Sequence, residues 1–540
     1  AGFSRAFNGA FDALADRYGR YTARAVRALA LIGVVYVCLI GLAGWRLTAT
    51  ASGFIPAQDQ GYLIGVVQLP PGSSLQRTGA VMDRVQKIAL ANPAVADTLA
   101  FAGLDGATLT NAPNAAAVFM AMKPKAERLD GDRVANQLRA SLGVVTEGNV
   151  LVIAPPPVRG LGTGGGYKMM IEDRGGIGLR PLEAVTDRMM AAANQTPGLT
   201  SNFTPFNTAT PRLYADIDRE RAEKLGVPVE GVFSTLGTYL GSTYINDFNF
   251  LGRTFRVTAQ AEAPYRNAAA DVGRLRTRSD TGAMVPLASV MSLHNDSGPY
   301  RVVRYNLYPA AELQGDTAPG YSSGQSLTSM ERLAAQTLPQ GAAYEWTELA
   351  FQQKQAGATG AIAFGLAVIF VFLLLAAFYE SLVLPLAVIL IVPMCLLAAI
   401  LGVNLMRLDD NILTQIGLVV LIGLAAKNAI LIVEFAHHNE GEGQDRLEAA
   451  RHAAATRLRP ILMTSIAFIL GTVPLIIGNE PGSEMRRALG VAVFFGMIGV
   501  TLFGLLFTPA FFVISRNLGD RVAGWLKRRR PQVASPEPAE

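Results

Sequence analysis

Six stretches of this chain are apolar around their whole circumference, near residues 28–45, 358–378, 382–403, 412–436, 460–478 and 488–514. Each approaches the ~20 residues that carry a helix across the hydrocarbon core of a bilayer. The pattern predicts six transmembrane helices, one early and five in a C-terminal block. Pro385 and Pro393 in the third span and Pro474 in the fifth predict kinks whose freed backbone groups neighbouring helices satisfy. Gly417, Gly423, Gly490, Gly496 and Gly499 predict close helix contacts.

Between the first and second spans the apolar positions change period. Residues 62–69 read as a strand, 74–91 as a helix, 95–101 and 116–122 as strands, 131–142 as a helix and 149–154 as a strand. This βαββαβ order is the split βαβ pattern. It recurs as a strand at 168–172, a helix at 180–193 and strands at 199–205 and 212–218. After an interval come a strand at 310–314, a helix at 324–336 and a strand at 343–346, so one α/β unit is repeated. The interval, about 219–300, holds a helical piece, VEGVFSTLGTYLG, and the hairpin-like STYINDFNFLGRTFRVTAQ, which predict an inserted subdomain. Its tip at 249–253 reads equally as a loop projecting toward another subunit and as a tight turn.

The opening residues place Phe3, Phe7, Phe11, Leu14, Tyr18 and Tyr21 three and four apart, with Asp12, Asp16, Arg17 and Arg20 between them. That is the pattern of an amphipathic helix on a membrane surface. No signal-peptide cleavage pattern is present and the chain does not open on methionine; it is expected to begin in mid-protein. The division that follows is an amphipathic helix at 1–27, a first span at 28–46, a first α/β unit at 47–166 and a second at 167–225 and 300–357. An insertion lies at 226–299, five spans at 358–514 and a basic, disordered tail at 515–540.

Half the residues are apolar and 16% are charged, too greasy for an ordinary globular chain and too polar for a purely membrane one. Positive charge in the short connections sets the orientation. Arg5, Arg17, Arg20, Arg24 and Arg27 precede the first span, Arg446, Arg451, Arg457 and Arg459 lie between the fourth and fifth, and Arg516, Arg521, Lys527, Arg528, Arg529 and Arg530 follow the last. The opposite short loops offer Arg407, Arg486 and Arg487. Both termini are therefore expected in the cytoplasm and residues 47–357 outside. These clusters account for the net charge of +5 without nucleic acid as a partner. Cys38 and Cys395 both fall in spans, so the external part holds no disulfide.

Little in the chain resembles catalytic chemistry. Residues 160–166, GLGTGGG, fit neither a dinucleotide fingerprint nor a phosphate loop, and read as a flexible connection. His294, His437, His438 and His452 have no visible nucleophile or metal-ligand constellation. No enzyme and no cofactor are expected. Lys427 is different: it interrupts the fourth span with apolar turns on both sides. A charge at the bilayer centre costs roughly 2.5–3.5 kcal/mol or more, so it faces a partner or water. Glu380 and Glu434 fall toward span ends, and Asp409 with Asp410 are placed in an exposed loop, leaving no carboxylate to meet it.

Four stretches, at residues 53–78 (GFIPAQDQGYLIGVVQLPPGSSLQRT), 376–394 (AAFYESLVLPLAVILIVPM), 423–436 (GLAAKNAILIVEFA) and 457–475 (RLRPILMTSIAFILGTVPL), resemble the resistance-nodulation-division multidrug efflux pumps of the AcrB type. The likeness covers essentially the whole chain and only the second, C-terminal half of such a pump. It implies a homotrimer in the Gram-negative inner membrane with a periplasmic domain of porter units and a docking insertion. The coupling ion would be the proton, and the partners a periplasmic adaptor, an outer-membrane channel and an N-terminal half carrying an Asp-Asp pair. The resemblance assigns a proton relay to Lys427, Arg457 and Thr464, with Lys427-Asn428 where the sister half carries Asp-Asp. It assigns a switch loop to Leu99, Phe101, Ala102 and Gly103 and further pocket positions to Phe119, Leu151 and Ile153. Phe203 falls where an arginine is common. Small apolar or amphiphilic substrates such as drugs, dyes, detergents and solvents are implied.

Two other readings stand beside efflux of amphiphiles. In the heavy-metal branch of the same superfamily, Met120, Met122, Met169 and Met170 would be soft ligands; the competing role for them is core packing. The other is a non-transporting membrane receptor or assembly factor of the same fold, against which a lysine in mid-span argues.

Overall fold

The computed structural model describes residues 2–357 and 359–529. The chain enters through α1 (Gly2–Arg27), leaves helical geometry at Ala28 and continues as the first span, α2 (Leu29–Ala49). The first external unit follows as β1 (Tyr62–Gln68), α3 (Leu75–Leu90), β2 (Val95–Asp105), β3 (Thr110–Met122), α4 (Gly131–Leu142) and β4 (Asn149–Ile153). Its antiparallel sheet has the order β2-β3-β1-β4, as the split βαβ pattern requires. Alternation explains the core: Leu63, Val67, Val118, Met120 and Val152 face α3 and α4, while Ile64, Val66, Phe119, Leu151 and Ile153 face the other way. Ser74 caps α3 by accepting from the Arg77 N–H.

The second unit opens with β5 (Tyr167–Asp173), α5 (Leu179–Asn194) and β6 (Leu199–Phe203). The next strand, β7 (Thr210–Ile217), departs from expectation. It pairs along its whole length with a strand far along the chain, from Met291↔Ile217 to Gly298↔Thr210, rather than joining the sheet of the second unit. Ala215 and Ile217 pack on the core of the insertion, around Val227, Val232, Leu287 and Met291. The inserted body thus begins near residue 210, earlier than the boundary at 226, because its two ends are zipped together as a neck.

Within it lie α6 (Arg219–Lys224), α7 (Val229–Leu236), β8 (Thr243–Phe250), β9 (Arg253–Ala259), α8 (Ala269–Arg274), β10 (Arg276–Arg278), β11 (Met284–Pro286) and β12 (Met291–Gly298), the partner of β7. β8 and β9 form the expected hairpin. Its tip is a two-residue turn with Leu251 and Gly252 both at positive φ (49° and 73°), as a type I′ turn needs. The tip is tight and also projects: Leu251 is 85% exposed, and Phe248, Phe250 and Phe255 are open to solvent along the ribbon.

The second unit then closes with β13 (Val303–Tyr305), β14 (Tyr308–Thr317), α9 (Ser323–Thr337) and β15 (Ala342–Thr347). β6, β14, β5 and β15 repeat the strand order of the first unit, and β13 shares the outer edge of β14 with β6. Residues 160–166 join the units, with open space around Gly160 at one end and a close backbone approach at Gly166 at the other. A Cβ on Gly166, at φ 83°, would lie 2.2 Å from the Gly315 carbonyl oxygen.

β15 runs into α10 (Glu348–Ala356), which leads to α11 (Thr359–Tyr379). The block continues with α12 (Leu384–Ile389), α13 (Val392–Leu405), α14 (Ile412–Gly441), α15 (Arg446–Ile477) and α16 (Ser483–Arg529). Among the described residues, six helices are long and apolar enough to cross a membrane. α12 and α13 make one span, broken immediately before Pro393. α16 runs past residue 514 without interruption, so residues 515–529 of the tail expected to be disordered are helical; 530–540 lie outside the described residues. α16 packs on α13, α14 and α15, and glycine makes this close approach possible. A Cβ on Gly496 would lie 2.1 Å from Leu421, and one on Gly499 2.2 Å from Ala398. Gly423 makes no such contact and faces open space.

The external units hang on the bundle at separate points. Lys125 of the first unit binds Glu484 at the start of α16 at 2.6 Å, and the Gly482 N–H donates to the Asp59 carbonyl. Asp59 itself anchors the unit: although its burial favours the neutral acid, the Arg128 fork at 2.7 and 2.8 Å and the Gly61 and Gly131 N–H groups hold its carboxyl below the usual range. The second unit is continuous with α10. Asp409 and Asp410, expected in an exposed loop, are instead wedged against the chain leaving α2. Asp410 donates its N–H to the Ala51 carbonyl, and Asp409 lies against Gly53.

Burial, helped by the neighbouring Asp409 charge, pushes the Asp410 carboxyl up to about 6. A folded-state value above the unfolded one favours the fold while the group is protonated, and that contribution is lost as pH rises from about 4 through about 6. Asp410→Asn should therefore melt higher than wild type at pH 7.5 and lose this part of the pH dependence. Thermal unfolding in detergent between pH 4.5 and 8 checks it, and identical profiles would refute it.

Candidate functional site

α14 is capped by Asn411, whose side chain accepts from the Leu413 and Thr414 N–H groups. From there its buried residues, including Leu418, Leu421, Ala425, Asn428 and Ile432, face α13, α15 and α16. The opposite stripe is open: Ile416, Val420, Gly423, Lys427 and Glu434 recur at helical spacing and are exposed. Lys427 thus sits on an uncovered helix face. No carboxylate lies within ion-pair distance of it among the described residues. Asp410 is about 25 Å away along the helix, and Glu434, two turns on along the same stripe, is about 10 Å away.

The other relay candidates lie on α15. One buried bond fixes the register of the two helices: Asn428 Nδ2 donates to Ser465 Oγ at 3.0 Å. It brings Thr464, also exposed, to the level of Lys427, where the threonine hydroxyl binds the Pro460 and Ile461 carbonyls of its own helix. Arg457 lies two turns away. Its guanidinium stacks 4.5 Å above the Phe435 ring, and its buried Nε has no acceptor. Lys427 and Thr464 therefore share a level while Arg457 belongs to a neighbouring one. The Asn428–Ser465 bond was absent from the sequence reading; a polar pair at 428 and 465 has no local signature, because the register of two separate helices is a tertiary property.

Outside the bundle, the residues assigned to a substrate pocket fall on the helix-free face of the first sheet. Leu99 pairs in register with Phe119, and Phe101 meets Phe119 edge to face at 6.1 Å. Leu99 and Phe101 are 60% and 44% exposed. The Leu99 to Gly103 segment, with Ala102 within it, is strand rather than loop: β2 continues to Asp105, with an irregular register around Gly103, whose φ is 84°. Phe119, Leu151 and Ile153 pack against Phe203, which crosses from β6. Phe203 thereby joins the two units, a contact that its position in the sequence did not reveal.

Beside this face lies a cleft of about 360 Å³ between the units. None of the assigned pocket residues lines it. Its walls are Leu69 and Ala112 of the first unit, Met190 and Phe206 of the second, and four acids: Asp105, Glu183, Asp187 and Glu312. Glu312 is matched by Arg301 at 2.7 Å and Lys168 at 3.4 Å. Asp105 accepts from the Ala107 N–H and the Thr108 hydroxyl, and Glu183 from the Thr208 N–H and hydroxyl. Partial burial, then the Glu183 charge, raises the Asp187 carboxyl. The cleft is amphiphilic with an excess of negative charge. The methionines considered as soft ligands do not converge: Met120 and Met122 fill the first core and Met169 the second.

Six helices long and apolar enough to cross a membrane, with a cation that meets no acid on one face among the described residues, carry two α/β units, the second interrupted by an insertion, and a cleft between them. The sequence comparison identifies the family. Residues 1–516 match the AcrB/AcrD/AcrF family, and the chain belongs to it. It is 35% identical over 523 residues to the multidrug export protein AcrF of Escherichia coli K12, covering 96% of this chain and 50% of that protein. It is 35% identical over 522 residues to the toluene efflux pump membrane transporter TtgB of Pseudomonas putida, covering 96% and 49%. Identity to the multidrug resistance protein MdtF of Escherichia coli K12 is 33% over 525 residues, covering 95% and 50%. The chain thus spans about half the length of the curated relatives it matches. The resemblance read from its four motifs, to resistance-nodulation-division multidrug efflux transporters, holds across nearly the whole chain.

Proposed function

We propose that this chain supplies the C-terminal half of a proton-driven exporter of amphiphilic compounds. The observation that carries the reading is Lys427, a cation in mid-span on an open helix face. Such a charge is expensive in hydrocarbon unless an acid meets it, and the missing surface is that of a second helical half bearing the Asp-Asp pair. Protonation of that pair would release Lys427 and bias the packing of the halves, the bound proton acting as the ligand that shifts the conformational equilibrium. Thr464 at the same level completes the relay, and Arg457 bears on it from the neighbouring one. In the intact pump, Lys427→Ala should abolish dye efflux and its dependence on the proton gradient while leaving expression unchanged. Undiminished efflux by that variant would sink the proposal.

The external units act in this reading as porter units whose cleft admits substrate from the periplasm. Its acids favour amphiphiles carrying positive charge over neutral ones. Glu183→Gln with Asp187→Asn should lower efflux of cationic dyes by about ten-fold relative to a neutral substrate, equivalent to ~1.4 kcal/mol of discrimination. An equal loss for both classes would remove the charge argument.

The inserted body acts as the docking element of a homotrimer that meets an adaptor and an outer-membrane channel. An isolated two-stranded ribbon is at best marginally stable in water, and β8 and β9 expose Phe248, Phe250 and Phe255. A neighbouring copy would cover these rings. Replacing Leu251 with cysteine and adding a bifunctional thiol reagent to a pump lacking Cys38 should give no crosslink between equivalent tips but efficient crosslinking to cysteines introduced in the adjacent protomer. Failure of every such pair in intact membranes would refute intersubunit docking.

A further inference from the structure

α1 has two unlike faces. Thr22, Ala25 and Val26 are buried, and the Tyr18 hydroxyl donates to the Leu505 carbonyl of α16 at 2.6 Å. The helix packs chiefly along α15. On the outer side, Arg17, Arg20, Arg24 and Arg27 follow one another at steps of three, four and three residues, which places all four within about 80° of arc. All are exposed. Beside them Leu14 and Tyr21 are 47% and 48% exposed.

Three other arginines at the same end of the molecule are ion-paired. Arg446 and Arg516 both bind Glu440, at 2.7 and 2.8 Å, and Arg446 also reaches Asp520. Arg451 binds Glu448 at 2.7 Å. Arg459 donates to Asn8 and lies over the Phe11 ring. The four on α1 form no ion pair among the described residues, and Asp16, four residues before Arg20, makes none with it. Arg457, Arg459 and Arg521 likewise form no ion pair among the described residues, but only the four on α1 make a continuous exposed stripe.

The chain turns from α1 into the first span at Ala28, so the stripe ends one residue before it. We propose that this stripe binds the headgroups of anionic phospholipids of the cytoplasmic leaflet, with Leu14 and Tyr21 inserted among the acyl chains. The proposal rests on the reading that α2 crosses the bilayer with α1 on its cytoplasmic side. A guanidinium donates two parallel hydrogen bonds to a phosphodiester, and a cluster of basic residues beside a span is drawn to an anionic leaflet. Flanking apolar side chains make a lipid surface the better match than a soluble anion.

The intact transporter, purified in detergent and mixed with equal amounts of phosphatidylglycerol and phosphatidylethanolamine, tests this by native mass spectrometry. Wild type should retain phosphatidylglycerol by about ten-fold over phosphatidylethanolamine, and the Arg17→Gln, Arg20→Gln, Arg24→Gln, Arg27→Gln variant by less than about three-fold. The corresponding four-lysine variant should keep a preference between the two, which separates lost charge from lost folding. Equal retention by wild type, an unchanged preference in the glutamine variant, or displacement of phosphatidylglycerol by inorganic phosphate would each overturn the proposal. Tyr21→Trp in a transporter otherwise freed of tryptophan, reconstituted in proteoliposomes, should be quenched by brominated lipid. Absence of quenching overturns the placement of α1, independently of whether the protein exports anything.

Discussion

The energetic penalty for a charge in hydrocarbon governs this structure. Within the bundle, backbone polar groups are closed inside helices, Thr464, Thr472 and Thr501 bond carbonyls of their own turns, and the buried amide of Asn428 is met by Ser465. Lys427 meets no carboxylate among the described residues. Its helix has one face committed to α13, α15 and α16, with glycine-mediated contacts to α16, and the other left open with the lysine on it. The chain spans about half the length of the curated relatives it matches.

How much of this was legible beforehand depends on the range of the interaction. Local periodicity located α3, α4, β1 and β4 almost to the residue, since capping at Ser74 and alternation in the sheet are written within a few positions. The repeat was legible for the same reason. The strand β7 was misplaced because its composition suits any sheet; only its partner β12, far along the chain, decides where it belongs. The helical continuation of α16 beyond residue 514 was missed because charge ended the apolar run, although a helix needs no apolar residues once it has left the bilayer.

The site shows the same division. Lys427 announced itself, because a lone charge in an apolar run is anomalous by composition. The cleft between the units did not. Its walls come from segments far apart in the chain, and acids such as Glu183 and Asp187 look like the solvated face of an ordinary amphipathic helix until the other unit is placed opposite. Residues 95–101 were legible as a strand, but its continuation through Ala102 and Gly103 to Asp105 was not, because the resemblance placed a loop there.

The two external units are suspended differently. The first is pinned to the head of α16, through Lys125 and Glu484 and through the Gly482 N–H, and α16 is the helix that touches most of the bundle. The second descends through β15 and α10 toward α11, which stands at the bundle's edge with much of its surface bare. The two units thus meet the bundle through different helices, and Phe203, reaching from the second unit into the apolar face of the first, is a contact that any change in their separation must alter.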